Sequence, residues 1–369
     1  MHISIVIPCL NEVETLQICL DKIKKKLNEN KLNGEIIVAD NGSNDGSIDI
    51  AKKNNVKLLN VKKRGYGYAI QAGIEASVGE FIFIADADNS YDFNELPNFY
   101  NKINSGFDIV QGCRLNSGGG KIEKNAMPLT HRLIGNPFFS FLSKFLFMLP
   151  FNDVYCGMKI IRKNFFKKMN FFSGGMVWCL EILIKSKVNS AKCGELPITL
   201  HKDGRIIGKS HLRTVSDGLK TIKFILTCAP NLLYLIPSFF LILIPLILII
   251  HFFINGNLQI FVNNHLIHIF ASIYISLQIL ILSMYTTLRA ETLGLTKKGQ
   301  LKKFFNFFTL KKSLVINFLI IIIANYLYFV DLLTFLQEHN KSIFQVFSTL
   351  ISINIIIGSF FVSLLRIDK

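Results

Sequence analysis

Short apolar runs alternate with segments of helical periodicity through the N-terminal third of the chain. The runs are "ISIVIP" (3–8), "EIIVAD" (35–40), "VKLLNV" (56–61), "EFIFIADAD" (80–88) and "FDIVQG" (107–112). Between them, 12–28, 45–54, 67–77 and 95–103 have the length and spacing of helices. Strands separated by helical crossovers predict parallel βαβ units and an open twisted sheet. Because the runs are continuously apolar, both faces of that sheet should be covered. Such sheets bind ligands beyond the carboxyl ends of their strands. The polar residues gather there: Asn11–Glu12 after the first strand, Asp40–Asn41 after the second, Asp86–Asp88 after the fourth and Arg114 after the fifth.

The pattern changes after residue 231. Four runs of about 23 residues follow, at about 232–254, 266–288, 314–336 and 343–365, and Asp331 is the one acidic or basic residue in all four. Each could cross ~30 Å of hydrocarbon as a helix. The expected organisation is thus a soluble α/β domain (1–231) and a membrane domain (232–369) with four transmembrane helices. The loop 289–313 holds seven Lys/Arg, whereas 255–265 holds none and 337–342 holds one. By the positive-inside rule the basic loop and the α/β domain face the cytoplasm. The expectation is a multi-pass integral protein of the inner or plasma membrane. The opening "MHISIVIPCLNE" lacks a charged leader with an apolar stretch and cleavage site, so no signal peptide is expected.

Charge adds little. Of the formal +16, +10 lies in residues 1–231. No basic stripe interleaved with aromatics and no nucleic-acid module accompanies it, so anionic headgroups suit it better than nucleic acid. An amino-acid usage rich in Lys, Asn, Ile and Phe also accounts for part of it. The seven cysteines form no CxxC, and their odd number in a cytoplasmic domain reads as free thiols.

Chemistry concentrates at the end of the fourth strand. There, Asp86 and Asp88 can converge on one hard cation, and Mg²⁺ or Mn²⁺ suits two carboxylates plus a substrate phosphate. An exposed acidic turn is the competing reading. A dinucleotide site is disfavoured, because "IPCLNEVETL" has no glycine at the first turn and "RGYGYA" (64–69) lacks the third. No GxxxxGK[ST] is present either.

"IVIPCLNE" (5–12), "IIVADNGSNDGS" (36–47) and "GEFIFIADAD" (79–88) occur in that order. With them the chain resembles the family-2 glycosyltransferases of GT-A fold, in the branch of dolichyl-phosphate mannose synthase and bacterial polyprenyl-phosphate glycosyltransferases. The resemblance continues through "GCRLNSGGG" (112–120), "AMPLTHRLIGNP" (126–137), "NDVYCGMKIIRK" (152–163) and "DGRIIGKSHLR" (203–213). It implies a hexose-type transfer from a nucleotide-diphosphate sugar, UDP- or GDP-linked, to a polyprenyl phosphate.

By that resemblance Pro8, Leu10, Glu12, Asp40, Arg64 and the segment Asp86–Ala87–Asp88 would bind the nucleotide sugar, with Asp86 and Asp88 on the metal. Asp40 could instead simply close an Asx-turn. Where relatives place a glutamine as a further ligand, Ser90 stands; Ser90, Asp92 or water could replace it. Arg114 and Arg132 match the arginines for the acceptor phosphate, and Asp153 matches the acid assigned as catalytic, as a base or as an orienting group. "HRLIGNPFFSFLSKFLFML" (131–149) also reads as an amphipathic membrane-surface helix, on which Arg132 would be an anchor. Arg205, Ser210 and His211 match a loop that closes on the donor diphosphate, with His211 where a lysine is frequent. The alternatives are a processive polysaccharide synthase, which would carry a QxxRW that is absent here, or a nucleotide-binding membrane carrier. The sequence leaves a homo-oligomer open.

Overall fold

The computed structural model describes residues 2–206, 214–229, 231–255, 258–297 and 299, with nine further residues between 315 and 358. It divides into two compact units, Met1–Ile225 with Leu293–Leu295, and Leu226–Thr292 with Thr296–Lys369.

The first unit is an α/β domain. Its strands are β1 (Ile3–Cys9), β2 (Gly34–Asp40), β3 (Lys57–Asn60), β4 (Phe81–Ile84), β5 (Ile109–Cys113), β6 (Lys121–Ile122), β7 (Lys159–Arg162), β8 (Cys193–Pro197) and β9 (Thr199–Leu200). The helices are α1 (Leu16–Glu29), α2 (Ser47–Lys53), α3 (Tyr66–Ala76), α4 (Leu96–Asn104), α5 (Asn136–Phe147), α6 (Lys163–Phe166), α7 (Trp178–Val188) and α8 (Thr214–Cys228), whose end passes into the second unit. Seven strands form one sheet in the order β3-β2-β1-β4-β7-β5-β8, and β6 pairs with β9. All pairings in the large sheet are parallel except those of β7 with β4 and β5.

The expected parallel alternation thus describes β1 to β5, and β7 is an antiparallel insertion that the pattern did not announce. "KIIR" is too short, and too closely flanked by lysine, to stand out as a strand. Two further expectations need correction. The strand expected over 80–88 ends its pairing at Ile84, which releases Asp86 and Asp88 into a loop. The edge strand β3 is not covered on both faces, since Lys57 and Asn60 are exposed.

One core layer lies between the sheet and helices α1 and α4. Leu16, Cys19, Leu20, Ile23 and Leu27 repeat at helical spacing on α1 and bury one stripe against Ile3, Ile5, Ile7 and Phe83. Phe99 of α4 meets Phe83 edge-on at 5.6 Å between ring centres. None of the seven cysteines forms a disulfide.

Register fixes the site's rim. Cys9 pairs with Asp40, so the loops after β1 and β2 leave the sheet side by side. Lys159, the first residue of β7, pairs with Ile84 on one side and Gln111 on the other. An antiparallel strand thereby brings its amino end to the carboxyl ends of its neighbours.

In the second unit, α9 (Ile236–Asn255) and α10 (Leu258–Thr292) pack together, with the Ser276 hydroxyl donating to the Ser238 carbonyl at 2.6 Å. The connection expected over 255–265 is instead mostly helix. "LQIFVNNH" contains neither glycine nor proline to stop α10. By length and composition one described helix, Ala271–Thr292, suffices to cross a membrane. The third and fourth expected spans, 314–336 and 343–365, lie almost wholly outside the described residues.

Candidate active site

At the β1–β2 rim, Glu12 is buried and forms a two-point ion pair with Arg205, whose Nε donates to Oε2 at 2.9 Å and whose Nη2 donates to Oε1. Nη1 of the same arginine stands 3.6 Å from both Asp88 Oδ2 and Asp203 Oδ2. Burial pushes the Glu12 carboxyl up, and Arg205 opposes that rise. A cavity of about 300 Å³ opens here, lined by Asn11, Glu12, Val13, Glu14, Asn44, Asp45 and Arg205.

Asp40 is buried, and its carboxylate accepts the backbone N–H groups of Gly42 (3.0 Å) and Ser43 (3.2 Å). That is the Asx-turn reading of this residue. Arg64 extends over the same turn, 3.7 Å from where a Cβ on Gly42 would lie. Pro8 and Leu10 are half-buried at the end of β1. Asn41 spends its side chain on structure, donating to the carbonyls of Val61 and Lys63 and accepting from Gly65 N–H.

Asp86 and Asp88 flank the buried Ala87. Asp86 accepts the Tyr66 hydroxyl at 2.8 Å, and its other oxygen faces Gly157, where any Cβ would collide with it. Burial, then the charge of Asp88, push its carboxyl up to about 6, against the opposing pull of Lys159 and Arg114. Asp88 accepts Ser90 N–H (3.0 Å) and the Ser90 hydroxyl (2.6 Å) on Oδ1, leaving Oδ2 toward Arg205. The segment leading to Arg205 runs along this loop, with His201 N–H on the Ser90 carbonyl and Gly204 N–H on that of Asp88. Asp92 accepts Asn94 N–H at the start of a short 3₁₀ turn.

Asp153 is 0% exposed and Arg114 is 7% exposed. Arg114 Nε donates to Oδ2 at 2.7 Å and Nη2 to Oδ1 at 2.9 Å, while the Arg114 backbone N–H also reaches Oδ2. Tyr155 N–H takes a further place on Oδ1. Burial works against the Arg114 charge, yet Asp153 holds its pKa well above the ordinary guanidinium value. Arg132 lies apart, half-buried on a π-helical turn (His131–Gly135) that leads into α5, and among the described residues no ion pair holds it. Beyond it Leu133, Ile134, Phe138, Phe141 and Phe145 are exposed, Phe141 by 69%. Ser210 and His211, with Lys209 and Arg213, lie outside the described residues.

The structure therefore brings the Arg114–Asp153 pair within electrostatic reach of Asp86 and joins Glu12 to Asp88 through Arg205, while Asp86 and Asp88 act on each other across Ala87. Two neighbours were missed from sequence. Lys159 is fully buried, donates to the carbonyls of Cys156 (2.7 Å) and Gly157 (3.3 Å), and sits 5.7 Å over the Trp178 ring. Tyr66 opens α3. A lysine in an otherwise apolar "GMKII" was the available signal for the first, because a buried charge needs a counter-charge.

As to chemistry, Asp86 and Asp88 are the residues able to hold a divalent cation. Their mutual repulsion shows in the raised Asp86 carboxyl, and oxygen donors suit a hard ion. Among the described residues no group of three or more His, Cys, Asp or Glu is placed to hold a metal ion, so water and substrate oxygens would complete the shell.

A low-salt glycan biosynthesis hexosyltransferase of Haloferax volcanii is 32% identical over 238 residues, 64% of this chain and 56% of that protein. The chain thus spans little more than half the length of this relative. A dolichyl-phosphate hexose transferase of the same organism is 29% identical over 164 residues, 44% of this chain and 68% of the relative. Among solved structures, glucosyl-3-phosphoglycerate synthase from Mycobacterium tuberculosis, in complex with Mn²⁺, UDP and glucosyl-3-phosphoglycerate, is 17% identical with a TM-score of 0.48. That match covers 61% of this chain and 79% of the synthase. The family model described as glycosyl transferase family 2 matches residues 4–169, from β1 through β7 to the first turns beyond it. The chain carries a glycosyl transferase family 2 domain.

Proposed function

We propose that the protein is an inverting glycosyltransferase. It moves a hexose-type sugar from a nucleotide-diphosphate sugar to a polyprenyl phosphate at the cytoplasmic membrane face. The observation that carries this reading is the nearness of Asp86 to Arg114, whose guanidinium, together with the buried Lys159, pulls its carboxyl down. An acid suited to a metal diphosphate thereby lies near a guanidinium suited to a second phosphate. The dolichyl-phosphate hexose transferase among the relatives supports a lipid-phosphate acceptor. So does the exposed apolar face from Leu133 to Phe145, which would set Arg132 at headgroup depth if that face lies on a bilayer. The four apolar runs after residue 231 would anchor the chain, with loop 289–313 on the cytoplasmic side.

The donor lies across the β1–β2 rim, with Glu12 and Asp40 toward its nucleoside, Pro8 and Leu10 beneath it, and Arg64 alongside. Asp86 and Asp88 would hold Mg²⁺ or Mn²⁺, which would supply neutralisation of the charge on the departing diphosphate. A lipid phosphate monoester has a second pKa of about 6 and is mostly dianionic at neutral pH, so its attack needs no strong base. It needs cations that hold it against a second anion. Arg114 and Arg132 do this. Asp153, with both oxygens occupied, orients Arg114 rather than taking a proton. Attack by the phosphate oxygen on the anomeric carbon forms the new C–O bond as the bond to the nucleotide diphosphate breaks, with inversion.

The test follows radiolabelled sugar in membranes with and without added polyprenyl phosphate. Label on the lipid is the expected result; polymer would indicate a synthase, and no transfer would indicate a carrier. Asp88→Asn should abolish transfer beyond rescue by excess Mn²⁺, and full activity after chelator treatment would overturn the metal reading.

A further inference from the structure

We propose that Glu195 is a positioning residue for the acceptor phosphate, acting through the turn that carries Asp153; this rests on the acceptor reading of Arg114. Glu195 lies on β8, directly across from Gln111 of β5. From these cross-strand neighbours two side chains converge on the segment 152–156. Glu195 Oε1 accepts the backbone N–H groups of Asn152 (2.7 Å) and Asp153 (3.1 Å), and Oε2 accepts the Asn152 side-chain amide at 2.7 Å. Gln111 donates its amide to the carbonyls of Asp153 (3.2 Å) and Cys156 (3.0 Å). The turn is therefore gripped by its N–H groups from one strand and by its carbonyls from the next. Asp153 has no other freedom than to present its carboxylate to Arg114.

All three hydrogen bonds to this half-buried carboxylate come from the same two residues, so its charge is spent on fixing one turn. Lys144 of α5 extends the chain of contacts, donating to Asn152 Oδ1 at 3.1 Å. The apolar-faced helix and the arginine are thus tied to the same asparagine turn.

The glycine run 118–120 closes over this arrangement. A Cβ on Gly118 would stand 2.5 Å from Cys113 Sγ and 3.1 Å from both Asn152 Nδ2 and Glu195 Oε2. Absence of a side chain there lets the carboxylate and the amide keep their bond.

Steady-state kinetics on the full-length protein separate this role from a merely structural one. Glu195→Gln should raise the KM for polyprenyl phosphate about tenfold, the scale of one weakened charge-assisted hydrogen bond, with the donor KM within about twofold. A second change, Asn152→Asp, reverses the polarity of the broken side-chain bond. In the double variant the new amide at 195 donates to the new carboxylate at 152 while its oxygen still accepts both backbone N–H groups. The lipid KM should return to near the wild-type value. Gly118→Ala should shift the lipid KM in the same direction as Glu195→Gln, and carries the test should the latter fail to fold. Equal rises in both KM values, or a double variant worse than either single one, would overturn the proposal. Arg114→Lys is the control on the underlying reading. If it leaves the lipid KM unchanged, Arg114 is not the acceptor cation, and both the reading and the role of Glu195 fall. If it raises that KM while Glu195→Gln does not, only the role of Glu195 falls.

Discussion

Lys159 and Asp86 show what single residues reveal and conceal. Two acids after a buried apolar run are visible in any reading of "FIFIADAD", because a strand built for the interior does not end in carboxylates without cause. Their neighbours are not visible. Lys159 comes near enough for its charge to act on Asp86 only because β7 runs antiparallel, and the Tyr66 hydroxyl meets Asp86 from the start of α3. The consequence for Asp86 is measurable. Its folded pKa of about 6 lies above the ordinary aspartate value near 3.9. Above pH 6 the charge is present in both folded and unfolded states and the fold bears its cost; below about pH 4 the group is neutral in both and the cost is gone. In chelator-treated protein, Asp86→Asn should therefore raise the melting temperature at pH 8 by several degrees, and by less at pH 5. An unchanged or lowered value at pH 8 would contradict the geometry. Asp40 is a residue whose sequence reading stayed double, since its carboxylate visibly closes its own turn.

Among the elements, α5 was foreseeable and α7 was not. The alternation of Phe with small polar residues in "NPFFSFLSKFLF" marks a two-faced helix, and Ser140 and Ser143 are indeed buried while Phe141 and Phe145 are exposed. If that outer face meets lipid, Phe141→Asp should raise the KM for a long-chain polyprenyl phosphate in bilayers. The same variant should leave the KM for a short, water-soluble analogue unchanged. Helix α7 hides differently. "WCLEILIKSKV" shows no clear stripe because it is buried almost throughout, including Glu181 and Lys185, which pair at 2.6 Å. Glu181 also accepts the N–H groups of Phe172 and Ser173. Removing one partner of such a pair leaves an uncompensated buried charge and costs roughly 3–5 kcal/mol. Glu181→Leu should accordingly lower stability by about that amount in denaturant unfolding, whereas Lys187→Ala, on the same helix, should change it little.

For the whole molecule, alternation of strands and helices fixed the parallel character of β1 to β5, and strand ends fixed where the polar residues collect. The order of the sheet beyond β4 was out of reach, since β7 and β8 are short and broken by charge, Lys159 and Arg162 in the one and Glu195 in the other. Hydropathy outlined the C-terminal part, yet α10 continues through the stretch read as a loop, because an uncharged polar run without a helix breaker does not end a helix. The proposed orientation has a direct check. Trypsin added to inverted membrane vesicles should cut between 297 and 312, and in right-side-out vesicles the same bonds should be spared. Cleavage from both sides alike would dismiss the assignment.

Arg205, resting between Glu12 and Asp88, carries a kinetic consequence. Under the proposed function this guanidinium stands where the metal diphosphate of the donor would arrive, so loading would be a swap of cations rather than an addition. What the donor gains in contacts it partly returns in breaking that link. After transfer, the guanidinium would compete for its two acids again and so help to expel the spent nucleotide. An enzyme arranged in this way trades grip for turnover.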